Sequence, residues 1–252
     1  MKKKILQLVA VFVAALTGQP ALAQTEFTVG DFTYQVLEDD PTAVALKQAA
    51  ATIEGAVVIP PAVENEEVTY TVKQILGYAF SSTGITSVTI PASVDSIGQR
   101  SFGGCASLAS IRIEDGAETL ILNNGYYGTF AYSDGEKTVY QGRNLKVSEV
   151  GTVYGSNVTS VEFGASVTEV LPSLFQGAYK LQSITIGDNV TEIGTYAFQS
   201  AGIDEGVEEL ALQLGSGVTK IGGGAFENCS KLTSLTLPDG IVNIDGYAFS
   251  ST

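Results

Sequence analysis

Hydrophobic and polar residues alternate over short segments that recur at nearly regular intervals along the chain. Residues 87–91 read SVTIP, residues 110–114 SIRIE, residues 183–187 SITIG and residues 234–238 SLTLP. Successive side chains of a β-strand point to opposite faces. One face of each segment is therefore apolar, and the other carries Ser, Thr or a charged residue. The pattern predicts a series of short, half-buried strands at one position of a repeating unit.

A second motif lies between these strands. Residues 94–102 read VDSIGQRSF, residues 190–198 VTEIGTYAF, residues 218–226 VTKIGGGAF and residues 241–249 IVNIDGYAF. One unit of about 23 residues is thus a short strand, a turn, an apolar pair, Gly, Ala-Phe and a polar turn. A single unit cannot bury its apolar face, but stacked units bury it between them. We predict a β-rich solenoid of about eight rungs. The residues expected to point into its core are Ile97, Ile193, Ile221, Phe102, Phe175, Phe198 and Phe226.

Weaker units complete the array. Residues 147–154 place Tyr154 near the Phe position, and Phe130 followed by TVYQG at 138–142 marks a degraded or inserted unit near 115–156. The first unit begins with VVIPP, and residues 64–70 are expected to loop out of it. The repeated Gly, as at Gly98, is expected to permit a tight turn or a positive φ at each corner. The solenoid is therefore assigned to residues 53–252, and residues 24–52 to an N-terminal strand pair or cap.

These units resemble the BspA-like branch of the leucine-rich-repeat proteins. The resemblance rests on the recurring I-G-x-x-A-F, the polar turn with Cys or Gly, and L-x-S-I-T-I-P, and it covers roughly residues 53–252. It implies a leucine-rich-repeat solenoid, secreted or displayed on the surface of a Gram-negative-type bacterium. Some members are implicated in adhesion to host proteins or cells, and the family shares no catalytic residues. Because the chain stops inside a unit at 246–252, we expect it to be a fragment.

The first residues have the three parts of a secretory signal peptide. Lys2, Lys3 and Lys4 are followed by an apolar run over residues 5–16 and by the small residues of Ala21-Leu22-Ala23. The run is shorter than the roughly 20 residues that cross a bilayer. We therefore assign residues 1–23 to a signal peptide cleaved before Gln24, and expect no membrane span in the mature chain.

The charge of the chain argues against some partners. The full chain carries a formal charge of −14. Removing residues 1–23 leaves 10 basic and 27 acidic residues, a net charge of −17. Phosphate binding rests on Lys and Arg, so we expect no nucleic-acid partner and no attraction to anionic membranes.

Candidate catalytic and metal-binding residues are few. The chain contains no His, which removes the commonest general base and zinc ligand. Glu162 and Glu209 fall at or near outward strand positions and would be the obvious glycosidase pair. Their units lie about two rungs apart and no aromatic wall surrounds them, so we interpret both as solvated surface carboxylates. We predict no cofactor, no metal site and no enzymatic activity.

The two cysteines occupy equivalent repeat positions. Cys105 follows Phe102 by three residues, as Cys229 follows Phe226. Five rungs at the usual strand spacing separate them by roughly 24 Å, well beyond the ~7 Å Cα limit for a disulfide. We therefore predict two free, buried thiols.

Two surfaces are candidates for a ligand. The first is the outward strand face, mostly small hydroxyl side chains, which is expected to be a flat ribbon without a deep pocket. Its candidate residues are Ser87, Thr89, Ser110, Arg112, Ser160, Glu162, Ser183, Thr185, Ser234 and Thr236. In the unit after Ser183 and Thr185, we expect Glu209 to lie beside Ser183 and Ala211 beside Thr185. Ser and Thr also favour strand pairing, so a structural role for this face stays open. The second surface is the Gly-rich segment 123–137, where Tyr126, Tyr127 and Tyr132 either bind a ligand or pack on the degraded rung.

The leading functional hypothesis is a cell-surface or secreted binding module. It would engage an extracellular or host protein, or a glycan, through the strand face and the loops. A structural spacer that displays another domain is the alternative. A glycan- or peptide-processing enzyme is the third hypothesis.

Overall fold

The computed structural model describes residues 25–123, 129–130, 135–148 and 153–252, which form a β-solenoid without any helix in this part of the chain. The predicted signal peptide, residues 1–23, lies outside the described residues. The strands, in chain order, are β1 (Glu26–Val29), β2 (Phe32–Val36), β3 (Ala43–Ala49), β4 (Glu54–Val58), β5 (Ala62–Asn65), β6 (Val68–Ile75), β7 (Gly84–Ile90), β8 (Ser96–Ile97), β9 (Ser110–Ile113), β10 (Leu120–Leu122), β11 (Lys137–Arg143), β12 (Leu145–Val147), β13 (Val158–Ser166), β14 (Glu169–Val170), β15 (Ser183–Thr185), β16 (Glu192–Ile193), β17 (Ala211–Gln213), β18 (Lys220–Ile221) and β19 (Asn243–Ile244).

The strands form three ladders. The first has the order β1-β2-β3-β6-β8-β10-β12, with β5 also paired to β6. The second is wholly parallel, with the order β4-β7-β9-β11-β13-β15-β17. The third is the short series β14-β16-β18-β19. Between β12 and β14 the side-chain amide of Asn144 bonds both the backbone N–H and the hydroxyl of Thr168, at 2.9 and 2.7 Å. This amide links the end of the first ladder to the start of the third.

A continuous column of aromatic rings runs through the core. Neighbouring rings are nearly parallel and their centroids lie 5.0–5.5 Å apart. The column contains, in order, Phe80, Phe102, Phe130, Tyr154, Phe175, Phe198, Phe226 and Phe249. One ring per rung gives eight rungs, as predicted from the repeat. The predicted core positions Ile97, Ile193 and Ile221 are also fully buried.

The second ladder separates an apolar face from a polar one. Its inward residues Val88, Ile111, Val139, Val161 and Ile184 are almost completely buried. The residues between them along each strand point away from the core, as the alternation of a strand requires. Burial of the inward row therefore fixes which side chains face solvent, because a slip of one residue would invert both faces.

The glycines at the corners of the rungs do not have the role that the sequence predicted for them. Gly98 does not have a positive φ; a Cβ there would lie 2.2 Å from the backbone nitrogen of Gly77 in the preceding rung. This glycine is required because two rungs approach closely. The positive φ falls two residues later, at Arg100 (54°) and at the equivalent Tyr196 (56°) and Tyr247 (64°). The left-handed turn of each corner is thus made largely by residues other than glycine.

Strands β1 and β2 pair antiparallel, and β2 pairs antiparallel with β3, which in turn joins β6 in parallel. The segment expected to loop out at residues 64–70 instead forms an antiparallel hairpin of β5 and β6. Its two turn residues, Glu66 and Glu67, have φ of 50° and 67°. Positive φ at both positions matches the twist of a two-residue hairpin, so the extra residues are held by strand pairing.

The degraded unit retains its place in the stack but buries charged residues. Phe130 and Tyr154 complete the ring column, and β11 lies inside the second ladder. Strand β11 also carries Lys137 and Arg143, both almost fully buried. The Arg143 guanidinium donates to the carbonyl oxygens of Ala92 (2.9 Å), Pro91 (3.1 Å) and Val94 (2.8 Å). The repeat pattern gave no sign of this buried cation.

The thiols of Cys105 and Cys229 are buried and not joined to each other, which confirms the predicted free thiols. Each sulfur lies against the rung before it: Cys105 Sγ donates to Phe80 O at 3.0 Å, and Cys229 Sγ to Phe198 O at 3.1 Å. Burial raises the pKa of both thiols, that of Cys229 to about 11. Across the described ranges, no helix has the length and apolar character needed to cross a membrane.

Candidate functional site

Two rows of side chains run along the outward face of the second ladder. Strand register aligns the first row as Ser87, Ser110, Thr138, Ser160, Ser183 and Ala211. It aligns the second row as Thr89, Arg112, Tyr140, Glu162, Thr185 and Gln213. Eight of the ten candidate face residues therefore share one surface. We call it the polar face.

Ser234 and Thr236 are not part of the polar face. Both are exposed, and residues 232–238 form no strand. The leucines expected to anchor this segment, Leu235 and Leu237, remain 39% and 41% exposed. Because burial does not hold the segment against β17, its assignment to the ladder was wrong.

The register of β17 also differs from the expectation. Ala211 was expected beside Thr185, but it pairs with Ser183, and Gln213 takes the place beside Thr185. Both alignments keep the leucines of this segment on one side, so the alternation alone could not choose between them. Gly215 decides the register, since a Cβ there would lie 2.3 Å from the carbonyl oxygen of Gly187 in the preceding rung. Glu209 is consequently displaced from the polar face, and its carboxylate accepts a hydrogen bond from the Thr233 hydroxyl at 2.9 Å.

Tyr140 is the aromatic residue of the polar face, and sequence reasoning did not assign it there. It lies in β11 between Arg112 of β9 and Glu162 of β13. The Arg112 guanidinium carbon lies 4.1 Å from the centroid of its ring, a cation–π distance. The TVYQG segment had been recognised as a strand of the degraded unit, and its alternation was the signal that could have placed Tyr140 outward.

Asp115 holds the other end of Tyr140. The phenol donates to Asp115 Oδ2 at 2.7 Å. This hydrogen bond raises the pKa of Tyr140, burial and the charges of Asp115 and Glu162 add to the rise, and the charge of Arg112 opposes it. At neutral pH the ring is therefore a neutral phenol, fixed between a cation and a carboxylate.

Gly164 provides the space that this arrangement needs. A Cβ at this position would lie 2.4 Å from the Tyr140 hydroxyl and 2.6 Å from Asp115 Oδ1. Gly164 stands two residues after Glu162, so its missing side chain lets the Tyr140 phenol lie across the neighbouring strand. The serine-rich ribbon was expected to be flat, but here it contains a shallow groove of about 300 Å³.

The groove is lined almost entirely by polar side chains. Its polar lining consists of Ser110, Arg112, Thr138, Tyr140, Ser160, Glu162, Ser183 and Thr185. Within the described part of the chain, the hydroxyls of Ser110, Ser160 and Ser183 have no hydrogen-bond partner, and neither does the carboxylate of Glu162. Their bonding capacity is therefore available to a ligand.

The other candidate residues are not brought into this groove. Tyr126, Tyr127 and Tyr132 lie outside the described residues. Glu162 and Glu209 are separated by strand β15, and Glu209 precedes the start of β17, so the two carboxylates do not face one position. Over the described ranges, no group of three or more Cys, Asp or Glu side chains is arranged to hold a metal ion.

Comparison with known families gives a match over most of the described solenoid. The sequence model of the BspA type leucine rich repeat region matches residues 73–204 and 204–252, in six copies. No curated protein matches the chain.

Solved structures of leucine-rich-repeat proteins are similar to this chain at low sequence identity. A leucine rich cell surface protein from Faecalibacterium prausnitzii is 22% identical, with a TM-score of 0.51 over 86% of this chain. This chain spans 55% of the length of that protein. A leucine-rich repeat protein from Bacteroides ovatus is 21% identical, with a TM-score of 0.43 over 86% of this chain and 60% of its own. A leucine-rich repeat protein from Bacteroides capillosus is 24% identical, with a TM-score of 0.45 over 56% of this chain and 99% of its own.

Proposed function

Because the chain belongs to the BspA-type leucine-rich-repeat family, we propose that it is a secreted or surface-displayed binding module that engages an extracellular macromolecule through its polar face. The observation that carries this proposal is the groove at Tyr140. An aromatic ring, a cation, a carboxylate and unpaired hydroxyls converge there on the exposed side of the ladder.

The arrangement of the face supports binding more than catalysis. The hydroxyl row repeats once per rung across β7, β9, β11, β13 and β15, so equivalent groups follow one another along the solenoid axis. A ligand with a repeating shape could contact several rungs in the same way. Enzymes concentrate titratable groups around one reacting atom, whereas here Asp115 and Arg112 are both engaged in holding Tyr140.

The sequence and the family both support an extracellular location. Residues 1–23 have the composition of a secretory signal peptide, and a solved protein of the same fold is described as a cell surface protein. We therefore propose export, with the polar face displayed to the extracellular medium.

A capture assay tests the proposal. The purified chain is incubated with immobilised mucin and extracellular-matrix glycoproteins, and bound protein is quantified. The double variant Ser160→Lys, Ser183→Lys places two long cationic side chains in the groove, so we expect its capture to fall about tenfold or more. The variant Glu169→Lys changes the net charge equally on the third ladder and should bind as the unmodified chain does.

Two results would contradict the proposal. Equal capture of the double variant and the unmodified chain would show that the polar face is not the binding surface. Absence of capture on every immobilised material, with the chain folded by circular dichroism, would favour the alternative function of a structural spacer.

A further inference from the structure

We propose that the ligand of the polar face is a neutral oligosaccharide chain that lies along the solenoid axis and rests on Tyr140. This inference rests on the proposed function and specifies the chemical class of its ligand. Three observations support it: the polarity of the groove, the charge of the chain and the spacing of the hydroxyl groups.

The polarity of the groove disfavours a protein surface as the ligand. Protein interfaces have an apolar core in which aromatic or aliphatic anchors fill pockets. The apolar residues among those lining the groove, Ile111, Val139 and Val161, are at most 3% exposed because their side chains point into the solenoid. A partner protein would therefore meet hydroxyls and one half-buried ring with Arg112 stacked on it, but no apolar pocket.

An extended peptide is disfavoured for a related reason. Peptides that bind sheets usually add a strand to a free edge, where main-chain groups are available. The groove lies on the face of interior strands β9, β11, β13 and β15, whose backbone groups pair within the ladder. A peptide across this face would have no main-chain hydrogen bonds and no side-chain pockets to enter.

The net charge selects against anionic glycans. The chain carries −14, so sulfated or carboxylated polymers are repelled at long range. Arg112 is the cation among the residues that line the groove, and its guanidinium is stacked on Tyr140. Glu162 adds an unpaired carboxylate beside it. These charges favour a neutral ligand that carries many hydroxyl groups, because the Glu162 carboxylate can accept hydrogen bonds from hydroxyl groups.

The spacing of the hydroxyl groups suits a chain of sugars. Adjacent rungs are about 4.8 Å apart, comparable with the length of one sugar ring in a linear chain. Ser110, Ser160 and Ser183 each present an unpaired hydroxyl toward the groove. On the strand between Ser110 and Ser160, the Thr138 hydroxyl donates to Ala109 O at 3.4 Å, and its oxygen can still accept a hydrogen bond. Each sugar could therefore exchange hydrogen bonds with one rung, while one ring contacts the accessible part of Tyr140 through its C–H groups.

The experiment measures binding of defined oligosaccharides by saturation-transfer NMR and calorimetry with the purified full chain. Neutral oligosaccharides of four or more units are compared with sulfated and sialylated ones of the same length. We expect binding of neutral chains, and a loss of about tenfold in affinity for Glu162→Gln and for Tyr140→Ala. Glu169→Gln on the third ladder is the matched control and should leave the affinity unchanged.

Tyr140→Phe keeps the ring but removes its hydrogen bond to Asp115, so it covers the case in which Tyr140→Ala fails to fold. If both variants fold, the affinity of Tyr140→Phe should lie between those of the unmodified chain and Tyr140→Ala. If only Tyr140→Phe folds, its affinity should be lower than that of the unmodified chain. Unchanged affinity in both Glu162→Gln and Tyr140→Phe would overturn the site.

Three outcomes distinguish failure of this inference from failure of the proposed function. If enzymatic removal of glycans from the immobilised glycoproteins leaves capture intact, the ligand is a protein and the inference fails while the proposed function stands. Binding restricted to sulfated or sialylated chains would also overturn it. If no material is captured before or after glycan removal, the proposed function itself fails.

Discussion

The guanidinium carbon of Arg112 lies 4.1 Å from the centroid of the Tyr140 ring, although the two residues belong to different repeats. The contact fixes the one aromatic ring of the polar face from one side, and Asp115 fixes its hydroxyl from the other. The ring of Tyr140 in β11 is thus held by side chains of β9 and of the loop after it, and β13 and β15 supply the other polar side chains of the groove.

The titration of Tyr140 reports on these contacts. Asp115→Asn removes the carboxylate that holds the phenol proton, so the pKa of Tyr140 should fall toward its ordinary value of about 10. Arg112→Ala removes a cation that lowers the pKa, so it should raise the pKa further. NMR of ring-labelled tyrosine over a pH series measures both shifts, and Tyr140→Phe identifies the resonance. An identical titration curve in Asp115→Asn would show that the hydrogen bond is absent in solution.

Two glycines at one repeat position should respond differently to alanine. In Gly164→Ala the new Cβ meets the ends of the Tyr140 and Asp115 side chains, which can move away. We expect a loss of stability below about 1 kcal/mol, together with a lower Tyr140 pKa. In Gly215→Ala the Cβ meets the backbone oxygen of Gly187 at 2.3 Å, and the loss should reach about 3 kcal/mol. Denaturant unfolding measures both, and equal losses would contradict the assigned contacts.

The aromatic column should make interior rings more important than terminal ones. Phe198 is fully buried and stacks between Phe175 and Phe226. Phe198→Ala should therefore lower the free energy of unfolding by about 3–5 kcal/mol. Phe249 stacks on Phe226 alone and is only partly buried, so Phe249→Ala should lower it by about 1–2 kcal/mol. Equal losses of unfolding free energy for Phe198→Ala and Phe249→Ala in urea denaturation would argue against a column in which each interior ring is buried by the rings on both sides.

Arg143 is expected to stabilise the middle of the solenoid. Arg143→Ala leaves the carbonyl oxygens of Pro91, Ala92 and Val94 without their donor inside the core, and should lower the free energy of unfolding by about 3 kcal/mol. Lys146→Ala removes an exposed cation of β12 and should change it by less than about 0.5 kcal/mol. Equal stability of the two variants would mean that the guanidinium is solvated rather than bonded to these carbonyls.

The buried thiol of Cys229 predicts a loss of stability in alkali. Its folded-state pKa of about 11 lies above that of a free thiol, about 8.5. Folding therefore favours the protonated thiol, and this contribution is complete below about pH 8.5 and disappears as the pH rises through about 11. Denaturant unfolding over that range should show a fall that is smaller in Cys229→Ala. The same slope in both proteins would contradict the raised pKa.

The sequence predicted the features that recur in every unit. Two patterns, the alternating strand and the Gly-x-x-Ala-Phe segment, identified the stacked rings and the rows of outward residues such as Ser110 and Ser160. They succeed because one residue type at one repeat position meets nearly the same surroundings in each rung. The repetition of the sequence was therefore sufficient to predict the fold and most residues of the polar face.

The sequence could not predict the features that occur once. The alternation of β11 could have placed Tyr140 on the outward face, but Asp115 lies in a loop of the degraded unit, and no other repeat shows that such a residue meets the Tyr140 hydroxyl. The register of β17 depends on the close approach of Gly215 to Gly187, a relation between rungs that the alternation within one strand does not encode. Gly98 was identified as necessary, but its φ and its distance to Gly77 are properties of the folded chain.

The ring column implies that the protein can change length without changing its cross-section. Within the column, each interior ring stacks on the ring before it and the ring after it, so a whole repeat inserted between two others would stack on the same kind of neighbours as the one it displaces. Every such duplication would also extend the row of hydroxyl groups by one step. Gain or loss of repeats would then adjust how many units of a polymeric ligand are held at once, and through that number the strength of attachment, while each individual contact stays weak.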